Sequence, residues 1–414
     1  MLTGTLDRLG VATLVLGAVF TAPLVKLAGL TLTGDRLLGL LALGAVIGLG
    51  LARRLRWTTI HSALAVFVGV QVITTAVNAG RWPAGLKFVT IYVLGFACFC
   101  LAAELARRPR GLRAFVTWWI GVGAALGAVG TVLSAWANPA QHIVWGTAIV
   151  QSLALEGELR RLVLAPMVTF NEPNLLSSFL LIPFALAVWL QPRRTRAWSA
   201  VGGLASLVFG LTFGFTRAVW IALASIVTFW YWRERPRWGR VATLGGLLLL
   251  ALLAYAAVVG ISVFKGRIVD PIVTARDTNL RGRHAINRVT IDSWLARPLV
   301  GHGAGSVYRL SVGRPGHPRG GTWNGNLVLF VLHDSGVVGV AALVWLGAVV
   351  CRCGIRAMRA ASAGSPAPLA VPLMAIGVGL CFAYQFTHGL WLMYPYIYLG
   401  VLASVAEDPA VGPL

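Results

Sequence analysis

Acidic residues are scarce in this chain. Thirteen Asp and Glu stand against 35 Lys and Arg among 414 residues, a formal net charge of +22. So few carboxylates leave no acidic cluster to cage a divalent ion, and no bound metal is expected. Cysteine is sparse too. Of the five, Cys98 and Cys100 lie in one apolar run, Cys351 and Cys353 at the end of a second, and Cys381 in a third. That placement excludes an extracellular disulfide framework. Cys-x-Cys pairs with no His or carboxylate nearby read as small apolar core residues, not metal ligands. A Walker A loop, a strand-borne GxGxxG and HExxH are all missing, so no nucleotide-driven engine is encoded and no cofactor is expected. Internal repeats, heptads and low-complexity tails are missing as well. So is the alternation of apolar and polar residues that marks a transmembrane barrel.

What fills the chain is apolar. By count 57% of residues are apolar and 12% charged, with a mean hydropathy of +0.78. Runs near the roughly 20 residues that cross a bilayer recur along the whole length. Helices are predicted near 10–30, 37–52, 60–79, 86–105, 114–136, 174–191, 198–215, 217–232, 241–263, 326–351, 368–386 and 389–406. The fold class is an all-α polytopic membrane protein of about twelve transmembrane helices, a single integral domain over 1–414 with the lipid bilayer around it. The first run is as long as a span and has no small-residue cleavage site, so it reads as a retained helix rather than a signal peptide.

Arginines orient the chain. Arg8; Arg53, Arg54 and Arg56; Arg107, Arg108, Arg110 and Arg113; Arg193, Arg194 and Arg196; Arg233, Arg235, Arg237 and Arg240; and Arg352, Arg356 and Arg359 fall in alternate loops. With twelve spans all six sets share one side, which puts both termini in the cytoplasm and makes 137–170 and 264–325 extracytoplasmic. These charges read as topogenic. Loops this short present no surface to nucleic acid, so the basic excess is not a nucleic-acid footprint.

Ten of the other Lys and Arg lie between Lys265 and Arg319, on the outer face and not needed for topology. The stretch Arg281–Gly305, RGRHAINRVTIDSWLARPLVGHGAG, packs four arginines, two histidines and a Gly-rich turn between two spans. Such a segment is suited to a phosphate or diphosphate at the bilayer surface. Three further outer segments stand out. In PMVTFNEPN, Glu172 or Asn174 can cap the next helix and Pro173 can set its first turn. Alternatively, Asn171, Glu172 and Asn174 offer hydroxyl-recognising groups, with Glu172 a base. Arg217, in the tight turn FGFTRAVW, either snorkels to the headgroups or meets a buried anion. His333 and Asp334 sit two turns inside an apolar run, where ionisable groups face a protein interior; structural pairing and catalysis both fit that place.

Taken together, these segments resemble the O-antigen ligase and O-antigen polymerase superfamily of polytopic glycosyltransferases. The resemblance covers essentially the whole chain. It runs through TFNEPN, the Thr216-Arg217-x-x-Trp220 turn where the family commonly has Ser-Arg-Gly, and Arg283 followed by RPLVGHGAGS. It ends with Asn326 followed nine residues later by Gly336-x-x-Gly339. The order and spacing of these short patterns carry the resemblance, not any one of them.

What the resemblance implies is a fold like that of class-C glycosyltransferases in a bacterial inner membrane. It also implies metal-independent, inverting transfer of a glycan from a polyprenyl-diphosphate donor to a glycan or lipid hydroxyl; whether a chain-length regulator is a further partner stays open. Arg283 and Arg217 match family arginines and are expected to bind diphosphate. Arg288, a turn and a fraction beyond Arg283, is expected to extend that site. Asn171, Asn174 and Asn326 are expected to contact glycan or acceptor. For a base, Glu172, His284, His302 and Asp334 are the candidates. One departure is plain. Where the ligases place a His before the Asn that opens the Gly-x-x-Gly pattern, this chain has Gly325. That favours a polymerase over a ligase to lipid A-core. Two other classes stay open: a secondary transporter for an anionic solute, and a metal-dependent class-C enzyme using Asp35.

Overall fold

The computed structural model describes residues 2–21, 23–27, 30–52, 55–80, 84–154, 160–189, 197–214, 216–234, 238–261, 278–310, 324–362 and 369–407. Its first half runs α1 (Leu2–Val19), β1 (Pro23–Leu27), β2 (Leu30–Thr33), α2 (Gly34–Leu51), α3 (Thr59–Val77), α4 (Gly85–Ala106), α5 (Pro109–Ala140), β3 (Thr147–Ala154), β4 (Arg160–Pro166) and α6 (Pro173–Trp189). The second half runs α7 (Ala197–Phe213), α8 (Arg217–Glu234), α9 (Trp238–Val259), α10 (Thr278–Trp294), a 3-10 turn (Ser306–Arg309), α11 (Leu327–Ser362), α12 (Ala370–Ala383) and α13 (Tyr394–Glu407).

Among the described residues a helix covers most of eleven of the twelve apolar segments, the first being the exception, and α10 is the polar addition. By length and composition six are long and apolar enough to cross a bilayer: α2, α3, α4, α5, α9 and α11; α6, α7 and α12 are apolar but shorter. Packed helices dominate because a chain in hydrocarbon must satisfy its backbone polar groups internally.

The first span needs correcting. Instead of 10–30, the helix occupies Leu2–Val19, and a β-hairpin of Pro23–Leu27 with Leu30–Thr33 follows it. Pro23 and the Thr-rich LTLT favour an extended pair over a helix that would have continued past the core. A second hairpin, β3 with β4, occupies the expected loop 137–170. Asn138, in the last turn of α5, anchors it in the manner of a backbone unit: Oδ1 accepts from Leu164 N at 2.9 Å and Nδ2 donates to Leu164 O at 2.9 Å.

Charged contacts gather at one end of the bundle. There Asp7 pairs with Arg108, Glu104 with Arg107, and Glu407 accepts Thr59 N. The loops carrying the expected site lie at the other end, with Thr21 N reaching Thr169 O at 3.1 Å and Asn78 Nδ2 reaching Gly301 O at 3.3 Å. Much of 264–325 falls outside the described residues: only 278–310, 324 and 325 are placed.

Candidate active site

The site begins with a break in a helix. Within α11 Gly336 takes φ 67° and ψ −163°, which a residue with a Cβ would adopt only under strain. In an unbroken helix Val337 N–H would reach the His333 carbonyl and Val338 N–H the Asp334 carbonyl. Here the loop after α10 takes both sets of partners. His302 N donates to His333 O at 3.0 Å and Gly303 N to Asp334 O at 2.8 Å. In exchange Val337 N donates to Pro298 O at 2.9 Å and Val338 N to Leu299 O at 3.3 Å. The loop follows this path because Gly301, Gly303 and Gly305 all have positive φ.

Side chains lock the graft. Asp334, 0% exposed, accepts Gly305 N at 2.6 Å on Oδ2, and Ser306 Oγ at 3.1 Å and Val307 N at 3.3 Å on Oδ1. His333 lies 3.1 Å through Nε2 from Ser293 Oγ and 3.2 Å through Nδ1 from Ser306 Oγ. His302 stacks on His333 with centroids 4.8 Å apart, its Nε2 2.8 Å from Ser293 O. Arg297 donates to Asn78, the C-terminal cap of α3. His302 and Asp334 therefore fall in one cluster with His333, which the sequence had singled out beside Asp334, and with Ser293 and Ser306, which it had not.

A second cluster forms where α10, the start of α11 and the turn between α12 and α13 converge. Arg283 Nη1 donates to Phe386 O at 2.7 Å, and its guanidinium lies 5.7 Å from the centre of the Phe386 ring. Gly325 sits against the same carbonyl. A Cβ there would overlap Phe386 O and come within 3.3 Å of Arg283 Nη1. The Gly325 carbonyl accepts His388 N at 3.1 Å, and Tyr384 O accepts Leu327 N at 2.9 Å. Gly325 is thus fixed by close backbone approach.

Asn174 ties the remaining parts together. Its Nδ2 donates to Thr387 Oγ1 at 3.1 Å and its Oδ1 accepts Thr216 Oγ1 at 2.8 Å, joining α6 to the 384–393 turn and to the entry of α8. Arg217, next to Thr216, opens α8 and is exposed. Pro173 opens α6, where the Glu172 carbonyl accepts from Leu175 and Leu176. Asn171 is exposed, its N–H on Thr21 Oγ1 at 3.1 Å. Asn326 caps α11, its Oδ1 accepting Leu329 N at 3.0 Å. Arg288 departs from expectation. Five residues turn a helix by about 140° beyond a full circle, and while Arg283 is half-buried against Phe386, Arg288 is exposed on another face. His284 is exposed too.

Electrostatics separate these groups. Burial raises the Glu172 carboxyl above its ordinary range, and the Arg283 charge opposes that rise, so the two lie within electrostatic reach. Burial lowers His302, with the bond to Ser293 O opposing. Burial also pushes His388 down to about 3, leaving a neutral imidazole. Tyr308 is raised by burial first, then by Asp334 and Glu172, which places it between the two clusters. A cavity lined by Phe88, Tyr308, Phe330, His388 and Trp391 lies beside it. Sequence reasoning missed Phe386, Thr387 and His388 because QFTHG merged with the ends of two apolar runs. The polar Gln-x-Thr-His within them was the available signal.

Residues 202–344 match the O-antigen ligase family model. The matched segment runs from α7 into α11 and contains Arg217, Arg283, Arg288, His302, Asn326 and Asp334. Asn171, Glu172, Asn174 and the 384–393 turn lie outside it. The match supports the O-antigen ligase and polymerase superfamily already suggested by the sequence, and with it a multi-pass membrane protein of glycosyltransferase type acting on a lipid-linked glycan and an acceptor. No curated protein matches the chain.

Proposed function

We propose that the protein transfers a glycan from a polyprenyl-diphosphate carrier to an acceptor hydroxyl on the outer side of the bacterial inner membrane, and that the acceptor is another lipid-linked glycan. One observation carries the reading: half-buried Arg283 is held on the turn at Phe386 that pins Gly325 and lies within electrostatic reach of the half-buried carboxyl of Glu172. In this reading the acceptor oxygen attacks the anomeric carbon as the bond from that carbon to the diphosphate oxygen breaks. The acceptor proton passes to the Glu172 carboxylate, and the leaving diphosphate takes the bonding electrons. Arg283 and Arg217 neutralise that charge, the guanidinium fork matching phosphate oxygens. Arg288 adds long-range attraction. Asn171, Asn174 and Asn326 border the acceptor side. His302 and Asp334 fix the Gly-rich loop that follows the helix bearing Arg283. The transfer needs neither nucleotide nor metal.

Gly325 supports the polymerase choice. The position at which ligases carry a His is closed here by the Phe386 carbonyl, so this chain handles its acceptor with other groups. The test is purified protein in vesicles supplied with a polyprenyl-diphosphate repeat unit alone. The expected result is a ladder of longer lipid-linked products, unaffected by chelator. Single-step transfer to lipid A-core without a ladder would establish the ligase alternative. Inactivity with every lipid-linked donor, together with anion flux, would establish a transporter. The proposed orientation has its own check. A cysteine at Gly316 is expected to label from outside and one at Gly364 to be spared.

A further inference from the structure

Far from this chemistry, at the opposite end of the bundle, α1 and α5 diverge to leave a cleft of about 690 Å³. It is lined by Thr5, Arg8, Leu9 and Ala12 from α1 and by Arg110, Arg113, Ala114, Thr117 and Trp118 from α5. Each set is a single helical stripe at i, i+3, i+4 and i+7, so two faces look at each other across the gap. The volume is that of a small-molecule site.

Charge in the cleft is uncompensated. Among the described residues the guanidinium groups of Arg8, Arg110 and Arg113 make no ion pair and no side-chain hydrogen bond. Three acids at this end are committed elsewhere, Asp7 to Arg108, Glu104 to Arg107 and Glu407 to Thr59 N. Polarity is also layered along the cleft. Arg110 and Arg113 lie in the first two turns of α5, whereas Ala114, Thr117 and Trp118 lie further along it, and on α1 Leu9 and Ala12 follow Arg8. Charged mouth and apolar interior match a ligand with an anionic head and a hydrocarbon tail. A topogenic role accounts for arginines at this end, but not for three unpaired ones converging on one concave surface.

We infer that this cleft is a binding site for an anionic phospholipid, with the phosphate held by Arg8, Arg110 and Arg113 and an acyl chain lying along Leu9, Ala12, Ala114 and Trp118. Basic pockets between membrane helices hold such headgroups by charge and by apolar contact together. The site is independent of the transferase reading, since it shares no residue with it.

The test is retention of phosphatidylglycerol, against phosphatidylcholine, by the full-length protein extracted from mixed vesicles and weighed intact. Wild type is expected to keep phosphatidylglycerol. R8Q/R110Q/R113Q is expected to lose it, by roughly fivefold per arginine removed. Thr117→Trp leaves the charges in place but fills the cleft, and is expected to lose it as well. It also carries the test if the triple variant fails to fold. R352Q/R356Q/R359Q, which removes a different basic cluster, is expected to retain the lipid. Equal loss in that control would overturn the proposal in favour of diffuse charge. Retention by Thr117→Trp would also overturn it. So would complete displacement by millimolar inorganic phosphate, which would identify a free-anion site.

Discussion

Two clusters lie side by side at one end of this bundle, and their polar groups are used in opposite ways. Around Asp334 the accounting closes: carbonyls freed by the break at Gly336 are taken by the Gly-rich loop, and the carboxylate accepts three donors in a site with 0% exposure. Around Arg283 the contacts are of another kind. The half-buried guanidinium meets a backbone carbonyl and an aromatic ring, and its charge opposes the rise that burial imposes on the Glu172 carboxyl. A satisfied network is scaffold, because any change leaves a buried group without a partner. In the proposed reading a half-buried guanidinium within electrostatic reach of a carboxyl handles the diphosphate and the acceptor proton, so Asp334 and His302 are given support and Arg283 and Glu172 the chemistry.

The largest effects are expected at the Arg283 cluster. Arg283→Ala should lower product formation by about 10²–10³ or more while the protein still folds and inserts. Arg283→Lys should rescue poorly, because a point charge does not reproduce a bidentate fork. Glu172→Gln should cost about 10²–10⁴ and remove the acid limb of the pH–rate profile. The sign follows from its environment. A base works deprotonated, and burial raises this carboxyl, so wild-type activity should climb with pH above the ordinary carboxylate range. Arg283 opposes that rise, so residual activity of Arg283→Gln should follow a limb moved to still higher pH. Rates measured across pH in vesicles decide this, and an unchanged limb in Glu172→Gln would remove the residue from the role of base.

Next comes the closed cluster, where stability should fail before chemistry. Asp334→Ala strands Gly305 N–H and Val307 N–H and leaves the Ser306 hydroxyl with His333 alone, at about 1–3 kcal/mol for each buried group left unpaired. Reduced melting temperature and loss of folded protein are expected. Any fraction that survives should retain near-normal turnover per folded molecule. A fully folded but inactive Asp334→Ala protein would reverse the comparison and make this the chemical centre.

How much of this was legible follows the same division. Continuous apolar runs revealed the helices, because period and length are properties of local sequence. Glu172 and Asn174 stood out as polar residues at a span end, and Arg283 as one of the arginines gathered in the long outer loop. Long-range backbone exchange was invisible: nothing in GHGAG says that its N–H groups will fill a gap at Gly336, some 30 residues on. Nor did QFTHG reveal itself, since a turn between two apolar helices looks like their ends. The hairpin at 23–33 was hidden for the same reason, its apolar residues extending a helical run. The placement of Arg288 was misjudged by spacing alone, because five residues do not return to the same helical face.

Gly325 sits on the border between the clusters and tests how tightly they are joined. Its carbonyl accepts His388 N, and the space its side chain would need holds the Phe386 carbonyl. Gly325→Ala should therefore push the 384–393 turn away, costing about 1–3 kcal/mol as an overpacked core change and weakening the Arg283–Phe386 bond with it. Gly325→His, which writes the ligase pattern into this chain, should be worse on both counts. Ligase activity gained by Gly325→His without loss of stability would show that the turn yields easily and that the close approach is incidental.

The smallest effect is expected at the arginine one helical face away. Arg288 is exposed and lacks the contact to Phe386 that holds Arg283, so its contribution to a diphosphate is a screened, long-range one. Arg288→Ala should lower activity only by a factor of roughly 2–5, in line with about 0–1 kcal/mol for an exposed charge, and the loss should shrink as salt is raised. Arg314→Ala and Arg319→Ala, in the Gly- and Pro-flanked part of the same loop outside the described residues, set the baseline for simply removing a positive charge. If Arg288→Ala behaves like them while Arg283→Ala does not, anion binding depends on the guanidinium held at Phe386. If all four variants lose activity together, the outer face works as a diffuse basic field, and the distinction between the two clusters carries no chemistry.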